Sequence, residues 1–257
     1  MSPASAGGSV PEVLVMAGGE GRRLGALTST TPKPMLPVAG RPVLQHLLEQ
    51  LREQGVEHVF LSVRHLSHVI SDYFGDGRWL GLDIEYVVER RALGTAGAIG
   101  LIAEHRKPLL VVNGDVVTPV PLTALTAHHE QHGAAMTIGC VEQTLPVAYG
   151  VIDHDGPDVV RLREKPELVV PVVAGVYLLA PGVASGVGCG MPLAMPDLIE
   201  AVMGVGRVVA FPLPGPWLDI GTPDCYARAD EVAGHTAVAL PSQIVAEARV
   251  GNGYGSR

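Results

Sequence analysis

The sequence predicts an α/β fold in which helices cover a doubly wound, mostly parallel sheet, and three observations indicate it. Four short runs in the first half of the chain are mostly apolar, as strands buried on both faces are. Segments with helical periodicity separate these runs, and β-rich segments dominate after Gly133. We therefore expect one mixed sheet, with a β-rich second half inside the same domain.

The apolar runs and their periodicities place the elements in order along the chain. In the first half, strands are predicted at residues 13–16, 58–63, 84–88 and 109–112. Helices are predicted between and after them, near residues 42–54, 66–74, 95–104 and 121–132. The second half is expected to hold strands at 134–141, 148–153, 159–163, 172–179 and 207–211, turns at 155–157 and 181–182, and helices at 196–203 and 222–232.

The composition is that of one globular domain. Of the 257 residues, 47% are hydrophobic and 17% are charged, which allows a full core. We expect residues 11–234 to form the domain, with a disordered segment at 1–10 and a C-terminal tail at 235–257. The N-terminus lacks the apolar core of a signal peptide and no run reaches the length of a membrane span, so we expect no membrane partner.

Charge and cysteine content argue against several functional classes. A net charge of −8 argues against a nucleic-acid partner, which requires a broad basic surface. Cys140, Cys189 and Cys225 are too few and too widely spaced for a disulfide framework or a zinc site, which favours a reducing cytoplasm. Two of the three lysines, Lys33 and Lys165, lie in the runs Pro-Lys-Pro and Glu-Lys-Pro. Lysine is a compact point charge that suits a phosphate oxygen, so these two are candidate phosphate ligands.

A glycine-rich loop follows the first predicted strand. Residues 17–24 read Ala-Gly-Gly-Glu-Gly-Arg-Arg-Leu, so backbone amides can approach an anion while Arg22 and Arg23 add charge. The loop lacks the Gly-Lys-Ser/Thr of a Walker loop and the third glycine of the dinucleotide fingerprint, which argues against an NAD(P)-dependent oxidoreductase. Read alone, the loop also fits a plain glycine turn with surface arginines.

Two further features suggest ligand contacts. Asp115, in Asn-Gly-Asp, follows one strand, and Asp219, in Leu-Asp-Ile-Gly, follows a strand-like run. Ligands of open α/β sheets collect beyond strand ends, and two carboxylates with a triphosphate make a Mg²⁺ site. Residues 94–98, Gly-Thr-Ala-Gly-Ala, allow a flat base to lie against the backbone, and Thr95 can cap its helix or donate a hydrogen bond. The alternatives are an ordinary turn and an ordinary helix start.

Taken together in this order and spacing, these motifs resemble the sugar-1-phosphate nucleotidyltransferase family, the nucleotide-sugar pyrophosphorylases. The resemblance runs from Pro11 to Val232. It covers the glycine-rich loop, Pro-Lys-Pro at Lys33, residues 93–97, and Gly-Asp at Asp115; it continues with Tyr-Gly-Val, Glu-Lys-Pro and Leu-Asp-Ile-Gly. The resemblance implies a Rossmann-like nucleotidyltransferase fold with a β-rich sugar-binding half.

The resemblance implies a role for each matched position. Catalysis would depend on Arg23, Lys33 and Asp115, and Mg²⁺ would bind Asp115 and Asp219. The nucleotide would contact Ala17, Gly18, Gly19, Gly21, Arg22, Glu89, Gly94 and Thr95. The sugar phosphate would contact Gly150, Glu164, Lys165 and Val173. Many members carry asparagine where this chain has Val173, which leaves a deoxygenated or otherwise modified sugar open.

The implied activity is transfer of a nucleoside monophosphate from a nucleoside triphosphate to a sugar 1-phosphate, with release of pyrophosphate. GTP is favoured because residues 93–97, Leu-Gly-Thr-Ala-Gly, are similar to those of mannose-1-phosphate guanylyltransferase-like members. Thymidylyl, uridylyl and cytidylyl transfer stay open, because backbone contacts to a base leave little trace in sequence. A catalytically silent relative that senses nucleotide sugars is the alternative from another class, and a homo-oligomer is compatible with the sequence.

Overall fold

A seven-stranded mixed sheet forms the centre of the computed structural model, which describes residues 10–102 and 104–229. The strands are, in chain order, β1 Glu12–Met16, β2 Pro37–Val38, β3 Arg41–Pro42, β4 His58–Val63, β5 Asp83–Val88, β6 Leu109–Asn113, β7 Val116–Val117, β8 Met136–Pro146, β9 Val151–Asp155, β10 Asp158–Arg163, β11 Glu167–Leu179, β12 Val208–Pro212 and β13 Leu218–Asp219. The α-helices are α1 Val43–Glu53, α2 Ser67–Phe74, α3 Leu122–Gln131, α4 Pro181–Ser185, α5 Met195–Met203 and α6 Pro223–Ala227. The 3₁₀ segments are Arg22–Thr28, Lys33–Met35, Arg78–Leu80 and Gly97–Leu101.

The strand order of the sheet is β12-β8-β11-β6-β1-β4-β5. Strand β11 runs antiparallel to both of its neighbours, and the other adjacent pairs of the sheet are parallel. After β1 the chain adds β4 and β5 on one side of β1, and then β6 on the other side. The order therefore reverses between β1 and β6, and a crevice opens at such a point beyond the carboxyl ends of the strands.

Apolar side chains fill a layer on each face of the sheet. Val13 and Val15 of β1 pack in one layer with apolar residues of α1, α2 and α3. Leu14, which points to the opposite face, packs in the other layer with residues of α4 and α5. Because the central strands are buried on both faces, their sequences are continuously apolar. The predicted doubly wound α/β fold with a mixed sheet is confirmed.

The element predictions need three corrections. The helix expected at 95–104 is only a 3₁₀ segment, Gly97–Leu101, because Gly97 and Gly100 disfavour an α-helix and pack against backbone. The turn expected at 181–182 is the start of α4, with Pro181 at a first-turn position, where its missing N–H costs no hydrogen bond. The second-half strands β8 and β11 are longer than expected, because they pair with each other well beyond the core.

Residues 1–9, 103 and 230–257 lie outside the described part of the chain. The predicted disordered segment and C-terminal tail, and the end of the helix expected at 222–232, therefore stay predictions. Within the described residues, no helix combines the length and apolar character needed to cross a bilayer. Cys140, Cys189 and Cys225 are free thiols.

Candidate active site

A pocket of about 390 Å³ opens at the carboxyl ends of β1, β4, β5 and β6, at the reversal of strand order. The structure gathers in its lining all the residues that the sequence assigned to the nucleotide, namely Ala17, Gly18, Gly19, Gly21, Arg22, Glu89, Gly94 and Thr95. Arg23, Lys33 and Asp115 line the same pocket. Residues separated by more than ninety positions in the sequence therefore meet at one site.

A buried lysine links two carboxylates at one side of the pocket. Lys33 Nζ lies 2.6 Å from Asp115 Oδ2 and 2.7 Å from Asp219 Oδ1, and the side chain of Lys33 is 8% exposed. Strand β13 pairs with β7 so that Asp219 lies opposite Val116, which brings the two aspartates together. The ammonium group is thereby held in place by two opposite charges, whereas an unpaired lysine side chain samples many rotamers.

The glycine-rich loop packs tightly around this lysine. Gly21 adopts φ +63°, and a Cβ there would come within 2.9 Å of the Thr28 side chain and 3.2 Å of Lys33 Cβ. Thr28 Oγ1 donates a hydrogen bond of 3.1 Å to the carbonyl of Gly21. A glycine is therefore required at position 21 for both its backbone conformation and its close packing.

Arg23 lies on the exposed side of the same cluster. A Cβ on Gly221 would come 3.0 Å from both Arg23 Nη2 and Asp219 Oδ2, so the guanidinium and the carboxylate flank this glycine. Gly221 follows β13 and lines the pocket together with Arg23. Two cations of different geometry, the guanidinium of Arg23 and the ammonium of Lys33, thus border the same space.

Glu89 is buried in the pocket wall at the end of β5, with 6% of its surface exposed. Ser62 Oγ donates to Glu89 Oε1 at 2.6 Å, and the Leu93 amide donates to Glu89 Oε2 at 3.1 Å. A Cβ on Gly18 would lie 2.8 Å from Glu89 Oε1, so the loop can approach only with glycine at that position. The carboxylate therefore ties together β4, residue 93 and the glycine-rich loop.

Charged residues also meet at the outer rim of the glycine-rich loop. Glu20 accepts hydrogen bonds from Arg22 Nε at 2.6 Å and from Arg64 Nη1 at 3.1 Å. These bonds, with that from Arg22 the larger effect, lower the pKa of Glu20, so its carboxylate stays charged well below neutral pH. The sequence reading missed Arg64, although its position directly after β4 follows the rule that identified Asp115.

The family of the chain follows from comparison with known proteins. A model of the nucleotidyl transferase family matches residues 12–234. The chain belongs to the nucleotidyl transferase family. This confirms the resemblance seen in the sequence motifs.

Two relatives and one solved structure illustrate the relationship of this nucleotidyl transferase. The chain is 36% identical over 233 residues to a mannose-1-phosphate guanylyltransferase of Mycobacterium tuberculosis, covering 87% of this chain and 65% of the relative. It is 31% identical over 221 residues to a mannose-1-phosphate guanylyltransferase catalytic subunit beta of Danio rerio, covering 82% and 61%. The chain therefore spans less than two thirds of these curated relatives. HddC from Yersinia pseudotuberculosis, complexed with GMP-PN, is 25% identical with a TM-score of 0.67, covering 86% of this chain and 98% of that one.

Residues 94–100 of this nucleotidyl transferase also have a structural role. Thr95 Oγ1 accepts a hydrogen bond of 2.7 Å from the Met195 amide, so it binds the first residue of α5 and does not cap the 3₁₀ segment that follows it. Cβ atoms on Gly94 and Gly97 would come 2.5 and 2.6 Å from the carbonyl oxygens of Leu193 and Met191. Glycine is therefore required at these two positions because the chain before α5 approaches them closely. Gly94 also lines the pocket.

This packing gives a testable prediction for Gly97. Replacing it with alanine is expected to lower the free energy of unfolding by about 1–3 kcal/mol, because the added methyl group meets the Met191 carbonyl. Urea titration followed by circular dichroism measures the loss. Gly182→Ala is the matched control: a Cβ there meets nothing within 4 Å and α4 favours alanine, so stability is expected to stay level or rise slightly. Equal stability of the two variants would contradict the packing argument.

The residues assigned to the sugar lie outside this pocket. Gly150 and Glu164 meet beside the β9–β10 hairpin, where a Cβ on Gly150 would lie 3.2 Å from Glu164 Oε2. Lys165 is exposed and adopts φ +44°, and Val173 is 48% exposed on β11. The structure thus brings Gly150 and Glu164 together but does not join the sugar residues to the Lys33 cluster. A bulge in β11 connects the two regions, because Gly175 packs against Asn113 of the pocket.

The donor set around Lys33 fits a divalent cation of the magnesium type. Among the described residues, no group of three or more histidine, cysteine or acidic side chains could hold a metal by itself. Asp115 and Asp219 do converge within 2.6 and 2.7 Å of one positively charged nitrogen. Mg²⁺ usually takes one or two protein carboxylates and completes its shell with phosphate oxygens and water. Two convergent carboxylates at the edge of the pocket match that requirement.

Proposed function

We propose that the chain transfers a nucleoside monophosphate from a nucleoside triphosphate, GTP by preference, to a sugar 1-phosphate and releases pyrophosphate. The main support for this proposal is the position of Lys33. Its ammonium lies between Asp115 and Asp219, at the edge of a pocket bordered by the glycine-rich loop. Family membership and the names of the relatives support the same reaction class.

The chemistry requires placement and charge neutralisation. An oxygen of the sugar 1-phosphate attacks the α-phosphorus in line, the bond to the bridging oxygen breaks, and pyrophosphate leaves with the electron pair. No side chain needs to act as nucleophile, so the residues of the chain act by holding the reactants and balancing their charge. Lys33, which pairs with Asp219, and Arg23, which flanks Gly221 together with Asp219, supply positive charge. Asp115 and Asp219 would hold Mg²⁺, which neutralises phosphate charge when bound.

Glu89 supports the preference for GTP. Its carboxylate is acceptor-only and has capacity beyond the two hydrogen bonds that it receives from Ser62 and Leu93. Guanine presents N–H donors on its Watson–Crick edge, including its exocyclic amine, which suits such an acceptor. The carbonyl groups of uracil and thymine would instead face a negative charge. Glu89 lies beside residues 93–95, where the sequence expectation placed the base.

A substrate matrix tests the proposal. The protein is incubated with Mg²⁺, each of four nucleoside triphosphates and a panel of sugar 1-phosphates that includes mannose 1-phosphate and deoxygenated sugars. Pyrophosphate release and product mass are measured. We expect turnover with GTP and at least one sugar 1-phosphate, and a lower kcat/KM for the uridine and thymidine nucleotides. Absence of pyrophosphate from every pair would contradict transferase activity and favour the catalytically silent sensor of nucleotide sugars.

A further inference from the structure

Two arginines at the rim of the pocket bind the same carboxylate of the glycine-rich loop. The Glu20 side chain accepts from Arg22 with one oxygen and from Arg64 with the other. Both arginines line the pocket. Arg64 belongs to none of the motifs that identified the family, and the reaction described above does not use it.

Arg64 is held more rigidly than Arg22. The side chain of Arg64 is 24% exposed, whereas that of Arg22 is 86% exposed. Its stem packs against the loop, because a Cβ on Gly18 would lie 3.4 Å from Arg64 Cβ. Arg64 directly follows β4, and its side chain extends along the glycine-rich loop. Packing against the loop limits the rotamers of its aliphatic stem.

The ion pairs of Glu20 add little to the stability of the fold, since pairs of exposed side chains seldom do. Their chemistry matches a phosphate group better. A guanidinium presents a planar fork of N–H donors that binds the oxygens of carboxylates and phosphates in the same way. Glu20 thus presents to Arg64 the kind of oxygen that a polyphosphate would present, on a loop whose glycines leave room for an anion.

Other cations of the pocket also pair with carboxylates of the protein, as Arg64 does. Lys33, Arg22 and Arg64 each pair with a carboxylate of the protein itself. A nucleoside triphosphate carries several negative charges, so it can replace these internal partners with its own oxygens. Since Glu20 lies on an exposed loop, it can turn to solvent when an anion takes its place.

We propose that Arg64 is a triphosphate-binding residue and that Glu20 is its internal counter-ion, which the triphosphate of the nucleotide displaces. This inference rests on the proposed function, because it places a nucleotide in the same pocket. Arg64 would help to position the triphosphate, and Glu20 would weaken binding of every polyanion by competing for the guanidinium.

Calorimetric titration without added metal tests the proposal, with inorganic tripolyphosphate and GTP as separate ligands. Arg64→Met keeps the packed aliphatic stem and removes the guanidinium. We expect it to weaken tripolyphosphate binding roughly tenfold, because one charge-assisted contact is lost. Glu20→Gln keeps the shape and removes the charge, and we expect tighter binding of both ligands. In the Arg64→Met background, Glu20→Gln should give a smaller gain, because part of its effect acts through Arg64.

Arg78→Met is the matched control, since Arg78 forms a similar exposed pair with Asp76 before β5, at the opposite end of that strand from the pocket. Its affinities should equal those of the wild type. Unchanged affinity in Arg64→Met, or weaker binding in Glu20→Gln, would overturn the inference. If Lys33→Met loses tripolyphosphate binding while Arg64→Met does not, the proposed function stands and this inference fails. Absence of binding of both ligands to the wild-type protein would overturn this inference, whereas the proposed function fails only if no pyrophosphate is released in the substrate matrix with Mg²⁺.

Discussion

Replacing Lys33 with methionine is expected to lower kcat/KM for pyrophosphate release by a factor on the order of 10²–10³. The substitution removes a cation whose side chain is 8% exposed and fixed by two carboxylates, so water cannot readily replace its charge. Methionine keeps a similar length and apolar stem, which limits the disturbance to packing. The loss is measured from initial rates with GTP and the best sugar 1-phosphate at saturating Mg²⁺.

Lys107→Met is the control for this variant, because Lys107 is exposed and precedes β6 at the end opposite the pocket. Its kcat/KM should match that of the wild type. The Lys33 variant should also bind Mn²⁺ more tightly than the wild type when no nucleotide is present, since Asp115 and Asp219 then lose their shared internal cation. Full activity together with unchanged Mn²⁺ affinity would show that Lys33 serves neither the phosphates nor the carboxylates.

The sequence was sufficient to predict the part of the site that lies directly on strand ends. The loop after β1 and the Asn-Gly-Asp run after β6 follow buried strands, and the carboxyl ends of strands at a reversal of strand order meet at one crevice. The apolar runs that identified these strands, residues 13–16 and 109–112, lie in β1 and β6 as predicted. The meeting of Asp219 with Asp115 is different, since it depends on the pairing of β13 with β7.

Other contacts could not be read from the sequence because they depend on tertiary packing. Thr95 precedes a helical pattern, which favoured a local cap, yet its hydroxyl accepts from Met195 a hundred positions away. Gly94 and Gly97 suggested room for a base, and the structure adds that their missing side chains accommodate the backbone at Met191 and Leu193. Close approach of two backbone segments leaves the same sequence signal, a small residue, as contact with a flat ligand does.

The separation of the sugar residues from the pocket has a similar origin. Strands β8 and β11 extend beyond the core and carry the β9–β10 hairpin with them. Gly150 and Glu164 therefore lie together beside this hairpin, outside the pocket that Lys33 lines. The turn Glu-Lys-Pro at Lys165 was recognisable as a motif, but its position relative to the pocket depends on the length and twist of these two strands. Sequence spacing alone does not give either quantity.

Asp115→Asn and Asp219→Asn should each lower kcat/KM by a factor on the order of 10²–10³, and the double variant should lose less than the product of the two. Each change removes one of the charges that meet at Lys33 Nζ while keeping the side-chain shape. Because both act on the same ammonium and on the same proposed cation, their effects overlap. Asp83→Asn, an exposed aspartate at the start of β5, is the matched control and should retain full activity.

The dependence of the rate on Mg²⁺ separates the two roles that these aspartates could have. If they only hold Lys33 in place, each variant loses kcat while the Mg²⁺ concentration that gives half the maximal rate stays the same. If they bind the cation, that concentration rises in both variants, because a neutral amide is a weaker ligand than a carboxylate. We expect the required Mg²⁺ concentration to rise. The Lys33 side chain packs against Gly21, which fixes its direction, and it would keep one carboxylate partner in either single variant. An unchanged Mg²⁺ requirement in both variants would remove Asp115 and Asp219 from the proposed metal site and leave them as supports for Lys33.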